Sequence, residues 1–120
     1  MTMMDILMIE DQGRPAARAS AALAGAGWHV ALHGDGYGGI DAIRKIRPRM
    51  VILNKALPNR SGIEILAELR ADENASLALT PVLVLVGSPE EGAGVTQADA
   101  ILAKPLAERD LQAAVRRMLR

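Results

Sequence analysis

The sequence contains no cysteine and no phenylalanine, and its aromatic residues are Trp28 and Tyr37 alone. The absence of cysteine excludes a disulfide scaffold, a thiolate nucleophile and a cysteine-ligated metal. The scarcity of aromatic rings excludes the stacking platforms on which many proteins bind single-stranded nucleic acid. A hydrophobic core in this chain is therefore built from leucine, isoleucine, valine, methionine and alanine.

The sequence also lacks an excess of charge, because 14 lysine and arginine residues balance 14 aspartate and glutamate residues. Proteins that bind nucleic acid directly or attach to membrane surfaces carry a basic excess, so the balance argues against both classes. Half of the residues are hydrophobic, which argues against a disordered chain. A length of 120 residues supports one hydrophobic core, and we predict a single domain over residues 1–120.

No hydrophobic run reaches the roughly 20 residues that span a bilayer. The apolar opening, Met1–Ile9, is interrupted by Asp5 and followed directly by Glu10 and Asp11. A signal peptide has a basic start and a longer apolar stretch. The sequence accordingly predicts a cytoplasmic protein.

Short apolar runs alternate with segments of helical pattern along the chain. The runs have the length of β-strands and are Asp5–Ile9, Trp28–Leu32, Met50–Leu53, Val82–Val86 and Ala100–Leu102. The segments with helical spacing are Pro15–Ala26, Tyr37–Ile46, Ile63–Ala71 and Glu108–Leu119. This alternation predicts an α/β fold, a three-layer, doubly wound parallel sheet of five strands with helices on both faces.

Two of the predicted helices show residues grouped at helical spacing. The last helix carries a single apolar stripe that consists of Leu111, Ala114, Val115, Met118 and Leu119. In the third, helical spacing groups Ile63 with Leu66, Ala67 and Arg70. Where a further helix is due, Gly87–Gln97 holds three glycines and a proline, so we predict a helix of only one or two turns, or a loop.

Polar side chains follow the predicted strands at the edge where open α/β sheets bind ligands. Glu10 and Asp11 follow the first strand, Asn54 follows the third and Lys104 follows the fifth. Carboxylate and amide oxygens suit Mg²⁺, and an ammonium group suits a counter-charge or a phosphate partner. The simpler alternative is a polar edge whose charges neutralise one another, because structural ion-pair networks are common.

Along nearly its whole length the sequence resembles the receiver domain of two-component response regulators. The matching stretches are ILMIED, VILNKALPNRSGIEILAELR, PVLVLVG and ADAILAKPL. The second stretch is the most specific, because an apolar strand is followed by an acceptor position, Leu-Pro, Ser-Gly and a helix rich in isoleucine and leucine. The resemblance implies a CheY-like (flavodoxin-like) sheet with strand order 2-1-3-4-5.

The resemblance also implies roles for individual positions. Glu10 and Asp11 match the acidic pair that holds Mg²⁺ in receivers, and Ala56 matches the residue whose backbone carbonyl completes that site. Lys104 matches the lysine that contacts the phosphoryl group, and Pro105 matches its cis-proline neighbour. A metal ion and a phosphoryl group are thus implied at the same edge of the sheet.

Three positions depart from the receiver pattern. Asn54 stands at the phosphoacceptor aspartate, Val86 at the switch serine or threonine, and Ile101 at the switch aromatic residue. An amide oxygen is a poor nucleophile, so no stable acyl phosphate forms at Asn54. We predict a degenerate receiver, or pseudo-receiver, that serves phosphorelay signal transduction as a protein-interaction module and is not an enzyme.

The asparagine also removes one negative charge from the implied metal site. With two carboxylates instead of three, we expect weak or no Mg²⁺ binding, and no other cofactor, at Glu10, Asp11, Asn54 and Ala56. Lys55 could bring an ammonium group against the acidic pair in place of a metal, or could point into water as most lysines do. Our hypothesis is a metal-free site closed by Lys104, with Lys55 as a second candidate.

In receivers the fourth helix, fifth strand and fifth helix form the face that partners and dimer mates contact. The interval from Val86 to Lys104 is shorter here than in typical receivers by about one helical turn. We predict that a signalling partner or an output domain binds this altered face independently of phosphorylation, and the face could also support a homodimer. Arg116, Arg117 and Arg120 complement a helix dipole more simply than they form a nucleic-acid site.

Two alternatives stay open at this point. The chain could be an ordinary phosphoacceptor receiver with an engineered inactivating substitution at Asn54, although Val86, Ile101 and Lys55 would then be expected to follow the family pattern. It could also be a small nucleotide-binding enzyme, because the glycine-rich segment Gly34–Gly39 follows a strand and precedes a helix. That segment fits neither the Walker pattern nor a full dinucleotide fingerprint.

Overall fold

The computed structural model describes residues 4–119 and has an α/β architecture. The strands are β1 (Ile6–Ile9), β2 (Val30–His33), β3 (Met50–Asn54), β4 (Val82–Val86) and β5 (Ala100–Ala103). The helices are α1 (Gly13–Gly25), α2 (Gly39–Ile46), α3 (Gly62–Arg70), α4 (Ala75–Ala78), α5 (Pro89–Gly92) and α6 (Glu108–Met118). The strands form a parallel sheet in the order β2-β1-β3-β4-β5, so the predicted fold and strand order are confirmed.

Alternate residues of the central strands supply two separate apolar cores, one on each face of the sheet. Met8 and Leu85 belong to the core beneath α1 and α6, whereas Leu7 and Val84 belong to the core beneath α2, α3 and α4. Strands β1, β3 and β4 are buried along their whole length. Their uninterrupted apolar sequences are the consequence of this two-sided burial.

The second strand begins two residues later than predicted. The amide of Trp28 donates to the carbonyl of Leu23 over 3.1 Å, so Trp28 belongs to the turn that ends α1. The predicted start of α2 at Tyr37 is also too early, because the Tyr37 amide donates to the side chain of Asp35 over 2.8 Å. In both places a local hydrogen bond sets the boundary, and hydrophobicity does not reveal it.

Of the four residues that stand at helical spacing in α3, only Leu66 lies on its buried face. The structure buries Ile65, Leu66 and Leu69, whereas Ala67 is exposed and Ile63 is half-buried. Burying the larger aliphatic side chains removes more apolar area from water than burying alanine, and this difference sets the face. By contrast, the apolar stripe predicted for α6 is confirmed, since four of its members are buried and the fifth packs against the core.

The segments after α3 hold two one-turn helices. Sequence reasoning missed α4, whose N-cap Asn74 accepts hydrogen bonds from the amides of Ser76 (3.0 Å) and Leu77 (3.3 Å). The short helix predicted within Gly87–Gln97 is present as α5. The face that the resemblance implies for partner contacts therefore corresponds to α5, β5 and α6. Within residues 4–119, no helix combines the length and apolar character needed to cross a membrane.

Asp5 joins β1 to β2 at the end of the sheet away from the polar edge. The backbone amide of His29 donates to its carboxylate over 2.8 Å, and Arg49 lies 3.2 Å away. The hydrogen bond from His29 lowers the pKa of Asp5, and Arg49 lowers it further, although desolvation opposes both. Folding therefore favours the ionised form of this carboxyl group, which is 14% exposed.

We expect Asp5→Asn to lower the free energy of unfolding by about 1 kcal/mol at pH 7, because a charged acceptor is replaced by a neutral one. A lowered pKa gives stability that is present above the pKa of the unfolded aspartate, about 3.9, and is lost as the pH falls through the folded value. Urea unfolding from pH 7 to pH 2 measures the difference between variant and wild type. A difference that stays constant as the pH falls would contradict this assignment.

Candidate functional site

The polar edge of the sheet brings together residues from three strands that are distant in sequence. Glu10 follows β1, Asn54 ends β3 and Lys104 follows β5, so parallel pairing places all three at one end of the sheet. The side chains of Glu10 and Asn54 lie in the interior. The Lys104–Pro105 peptide bond is cis, as the resemblance implied.

Asn54 contacts each of the other three positions in the implied metal site. Its Nδ2 lies within hydrogen-bond distance of Glu10 Oε2 (2.8 Å), Asp11 Oδ1 (3.1 Å) and the Ala56 carbonyl oxygen (3.0 Å), so its two hydrogens are shared among three acceptors. Ionised carboxylates and carbonyls can only accept hydrogen bonds, so the amide nitrogen rather than its oxygen faces them. The amide thereby joins β3 to the loop that follows β1.

Lys104 completes the neutralisation of Glu10. The distance from Lys104 Nζ to Glu10 Oε1 is 2.5 Å, and the Glu10 side chain is only 2% exposed. Its other oxygen accepts from Asn54 and, at 3.4 Å, from the amide of Gln12. A buried carboxylate is tolerated only when it is paired and hydrogen-bonded, and both oxygens of Glu10 meet that condition here.

The donor set in this arrangement does not fit Mg²⁺. The ion takes oxygen ligands, yet Asn54 directs N–H groups at the three oxygen-bearing groups that the resemblance assigned to the metal. Asn54 would have to break these hydrogen bonds and present its oxygen before an ion could enter. Across residues 4–119, no group of three or more histidines and carboxylates is placed to hold a metal.

Lys55 does not contact the acidic pair, and its predicted role there is wrong. Lys55 lies just beyond β3, and its side chain is directed toward α5 and away from Glu10 and Asp11. Its Nζ donates to the backbone carbonyl of Glu91 in α5 over 2.8 Å. The alternative, in which Lys55 points into water without a partner, is also not observed.

Glu91 is a residue that sequence reasoning missed. Besides accepting from Lys55 through its carbonyl, it accepts from the Gly87 amide through its carboxylate Oε2 over 2.9 Å. The available signal in the sequence was a glutamate placed four residues after Gly87, the residue that directly follows the predicted fourth strand. The contact depends on the path of the loop between β4 and α5, which hydrophobic patterning does not reveal.

The two switch positions lie beneath α5. Val86 is fully buried within the core on the α3 side of the sheet, whereas Ile101 is 37% exposed. Neither side chain offers a hydroxyl group to a phosphoryl oxygen or an aromatic ring that could rotate inward. Both are aliphatic surfaces against which α5 packs.

The glycine-rich segment Gly34–Gly39 is not shaped as a phosphate cradle. Gly36 lies so close to the backbone carbonyl of Arg60 that no side chain fits there. The Tyr37 amide, which a phosphate would need, donates instead to Asp35 and lowers the pKa of that carboxyl group. The segment is packed against the loop after β3, and its chemistry argues against nucleotide binding.

A family model described as the response regulator receiver domain matches residues 6–116. The chain is 33% identical over 119 residues to the DNA-binding response regulator MtrA of Mycolicibacterium paratuberculosis. The match covers 96% of this chain and 51% of MtrA. The chain thus spans about half the length of the curated relatives it matches.

Solved structures show the same fold. The chemotaxis response regulator CheY4 of Vibrio cholerae superposes with a TM-score of 0.84 at 26% identity, over 98% of this chain and 100% of CheY4. The receiver domain of the sensor histidine kinase PA1611 from Pseudomonas aeruginosa, described with a magnesium ion in its active-site cleft, gives a TM-score of 0.86 at 24% identity. That match covers 98% of each chain.

Proposed function

Since the chain belongs to the response regulator receiver family, we propose that it is a degenerate receiver that takes no phosphoryl group and acts as a protein-interaction module rather than an enzyme. The observation that carries this proposal is the hydrogen bonding of Asn54. Its amide nitrogen donates to Glu10, Asp11 and the Ala56 carbonyl, where a receiver would hold a metal ion. The oxygen atoms of Glu10, Asp11 and Ala56 that would bind the ion are already hydrogen-bonded to Asn54.

The chemistry of Asn54 supports the same proposal. Transfer to a receiver requires a carboxylate that attacks phosphorus and forms an acyl phosphate, and an amide is a poor nucleophile. Lys104, which would stabilise the charge of a phosphoryl group, is held instead by Glu10 at 2.5 Å. We propose that this ion pair and the Asn54 hydrogen bonds keep the site in a single, metal-free arrangement.

The proposed interaction surface comprises α5, β5 and α6. Ile101 on β5 is partly exposed, and the carboxylates of α5 and the arginines near the end of α6 give the surroundings mixed charge. We propose that the partner is a signalling protein or an output domain and that it binds without phosphorylation. MtrA, a DNA-binding response regulator, is about twice as long as this chain, so an output domain in the same polypeptide is one such arrangement.

A phosphodonor experiment tests this proposal. The protein and its Asn54→Asp variant are incubated with Mg²⁺ and acetyl phosphate, and phosphoryl incorporation is measured by mass spectrometry while NMR follows the backbone amides. For the wild type we expect no phosphoryl adduct and no shifts at Glu10, Asp11 or Asn54 at sub-millimolar Mg²⁺. An adduct or large shifts at these residues would refute the proposal.

The variant separates the proposal from a second candidate function, an ordinary receiver inactivated at one position. Glu10, Asp11, Ala56 and Lys104 all match the receiver pattern and lie around Asn54, which is the arrangement expected if a single position had changed. A degenerate receiver should take up the phosphoryl group slowly even with aspartate at position 54, because Val86 offers no hydroxyl group to a phosphoryl oxygen. Robust labelling of the variant would instead support the ordinary receiver.

A further inference from the structure

The α5 helix is too short to be stabilised by its own hydrogen bonds. It has four residues, whereas isolated helices shorter than about 12–15 residues are marginal in water. None of its residues is buried, so hydrophobic burial of α5 itself contributes little. Its position at the ends of β4 and β5 therefore depends on specific contacts with neighbouring segments.

Glu91 provides two of these contacts, in different directions. Its carboxylate accepts from the amide of Gly87, which directly follows β4, over 2.9 Å. Its backbone carbonyl accepts from the ammonium group of Lys55, which directly follows β3, over 2.8 Å. A single residue of α5 is thus tied to the ends of two adjacent strands of the sheet.

Gly92 allows α5 to lie directly against the two switch positions. A methyl group at Gly92 would lie 3.1 Å from Cγ2 of Ile101 and 3.8 Å from Cγ2 of Val86. The first distance is tighter than ordinary van der Waals contact, so the Ile101 side chain or the helix would have to shift by a few tenths of an ångström if a side chain replaced the glycine. Glu91 makes its two contacts while α5 lies at this close approach.

We propose that Lys55, Glu91 and Gly87 form an intramolecular latch that holds α5 in one position on β4 and β5 without a ligand or a covalent modification. The latch uses none of the side chains of the acidic site. It therefore fixes the shape of the α5 surface whatever the state of that site. It rests on the proposed function in one respect, namely that a partner binds this surface.

The latch predicts that Glu91 and Lys55 control the opening of α5. Amide hydrogen exchange, followed by NMR in buffer without Mg²⁺ or phosphodonor, reports on this opening at Ala93 and Val95, whose acceptors are the carbonyls of Glu90 and Gly92. We expect Glu91→Ala to raise exchange at these amides about fivefold, since one charged hydrogen bond and its geometry are lost. Lys55→Met should raise exchange at the same amides.

Matched variants control for changes of charge and helix propensity. Glu90→Ala removes the adjacent carboxylate of α5, and Lys45→Met removes an exposed ammonium group of α2. Both should leave exchange at the two amides within about twofold of wild type, well below the fivefold change expected for the latch. Unchanged exchange in α1 shows that each variant remains folded.

Equal exchange in Glu91→Ala and Glu90→Ala would overturn the latch, as would a Lys55→Met variant that behaves like Lys45→Met. These outcomes leave the proposed function intact, because the measurement involves no phosphoryl or metal chemistry. Conversely, phosphoryl incorporation into the wild type would refute the proposed function and leave the latch standing.

Discussion

Replacing Asn54 by aspartate is expected to lower the free energy of unfolding by about 3 kcal/mol in metal-free buffer at pH 7. In the wild type the side-chain amide donates to two carboxylates and one carbonyl at 2.8–3.1 Å. Aspartate presents an oxygen in the same place, so three attractive contacts become repulsive. The loss is large because Asn54 is buried, where water screens the repulsion poorly.

The sign of the pH dependence follows from the same contacts. The carboxylates of Glu10 and Asp11 raise the pKa of an aspartic acid placed between them, because like charges disfavour a further ionisation. The protonated acid can donate one hydrogen bond, so the deficit of Asn54→Asp should shrink as the pH falls toward about 4. The variant should therefore be closest in stability to the wild type under mildly acidic conditions.

Adding Mg²⁺ shows whether the stability lost in Asn54→Asp comes from repulsion between carboxylates or from misfolding. Three carboxylates facing one another form an oxygen site for a hard cation, which the wild-type amide does not offer. Mg²⁺ at about ten times its dissociation constant should restore about 1.4 kcal/mol to Asn54→Asp and nothing to the wild type. Urea unfolding with and without Mg²⁺ measures both numbers.

A second asparagine provides the matched control. Asn74 accepts hydrogen bonds from backbone amides at the start of α4, a position where aspartate serves equally well. We expect Asn74→Asp to change the stability by less than about 0.5 kcal/mol and to be insensitive to Mg²⁺. If Asn54→Asp and Asn74→Asp lost the same stability and responded alike to Mg²⁺, the proposed metal-free arrangement around Asn54 would be wrong.

The fold was largely predictable because burial leaves a strong trace in this sequence. The runs Met50–Leu53 and Val82–Val86 are apolar throughout since both of their faces are covered, and their spacing with helical segments identifies a parallel sheet. The errors in element boundaries arose where local hydrogen bonds to backbone groups decide the structure. The start of β2 depends on the bond from Trp28 to Leu23, and α4 on the cap formed by Asn74.

The site was predictable in its membership and not in its contacts. Parallel strands bring their carboxyl ends to one edge, so Glu10, Asn54 and Lys104 were expected to meet. Which oxygen atoms lie within hydrogen-bond distance of Asn54 depends on the paths of two loops, which no spacing in the sequence encodes. The direction of Lys55 likewise depends on the path of α5, and its contact with Glu91 appears only in three dimensions.

Arg70, at the end of α3, is expected to have the other large effect on stability. Its guanidinium group donates to the carbonyls of Ala78 (2.9 Å), Thr80 (2.7 Å) and Gln97 (3.0 Å) and to the carboxylate of Asp99 (2.9 Å). The side chain is only 15% exposed. These bonds join α3 to the segment before β4 and to the segment before β5.

Replacement by lysine keeps the charge but removes the planar group that makes four bonds at fixed angles. We expect Arg70→Lys to lower the free energy of unfolding by about 3 kcal/mol, because a lysine reaches one or two of these acceptors and leaves the others poorly satisfied. Since Asp99 also accepts from the Val82 amide at the start of β4, over 2.8 Å, the loss extends to the sheet.

Urea unfolding of Arg70→Lys beside Arg44→Lys tests this expectation. Arg44 also pairs with carboxylates, at 3.1 Å from Asp72 and 3.6 Å from Glu68, but its side chain is 46% exposed. Exposed ion pairs contribute little, so Arg44→Lys should cost less than about 1 kcal/mol. A loss at Arg70 no larger than the loss at Arg44 would mean that the carbonyl contacts of Arg70 contribute little beyond its charge.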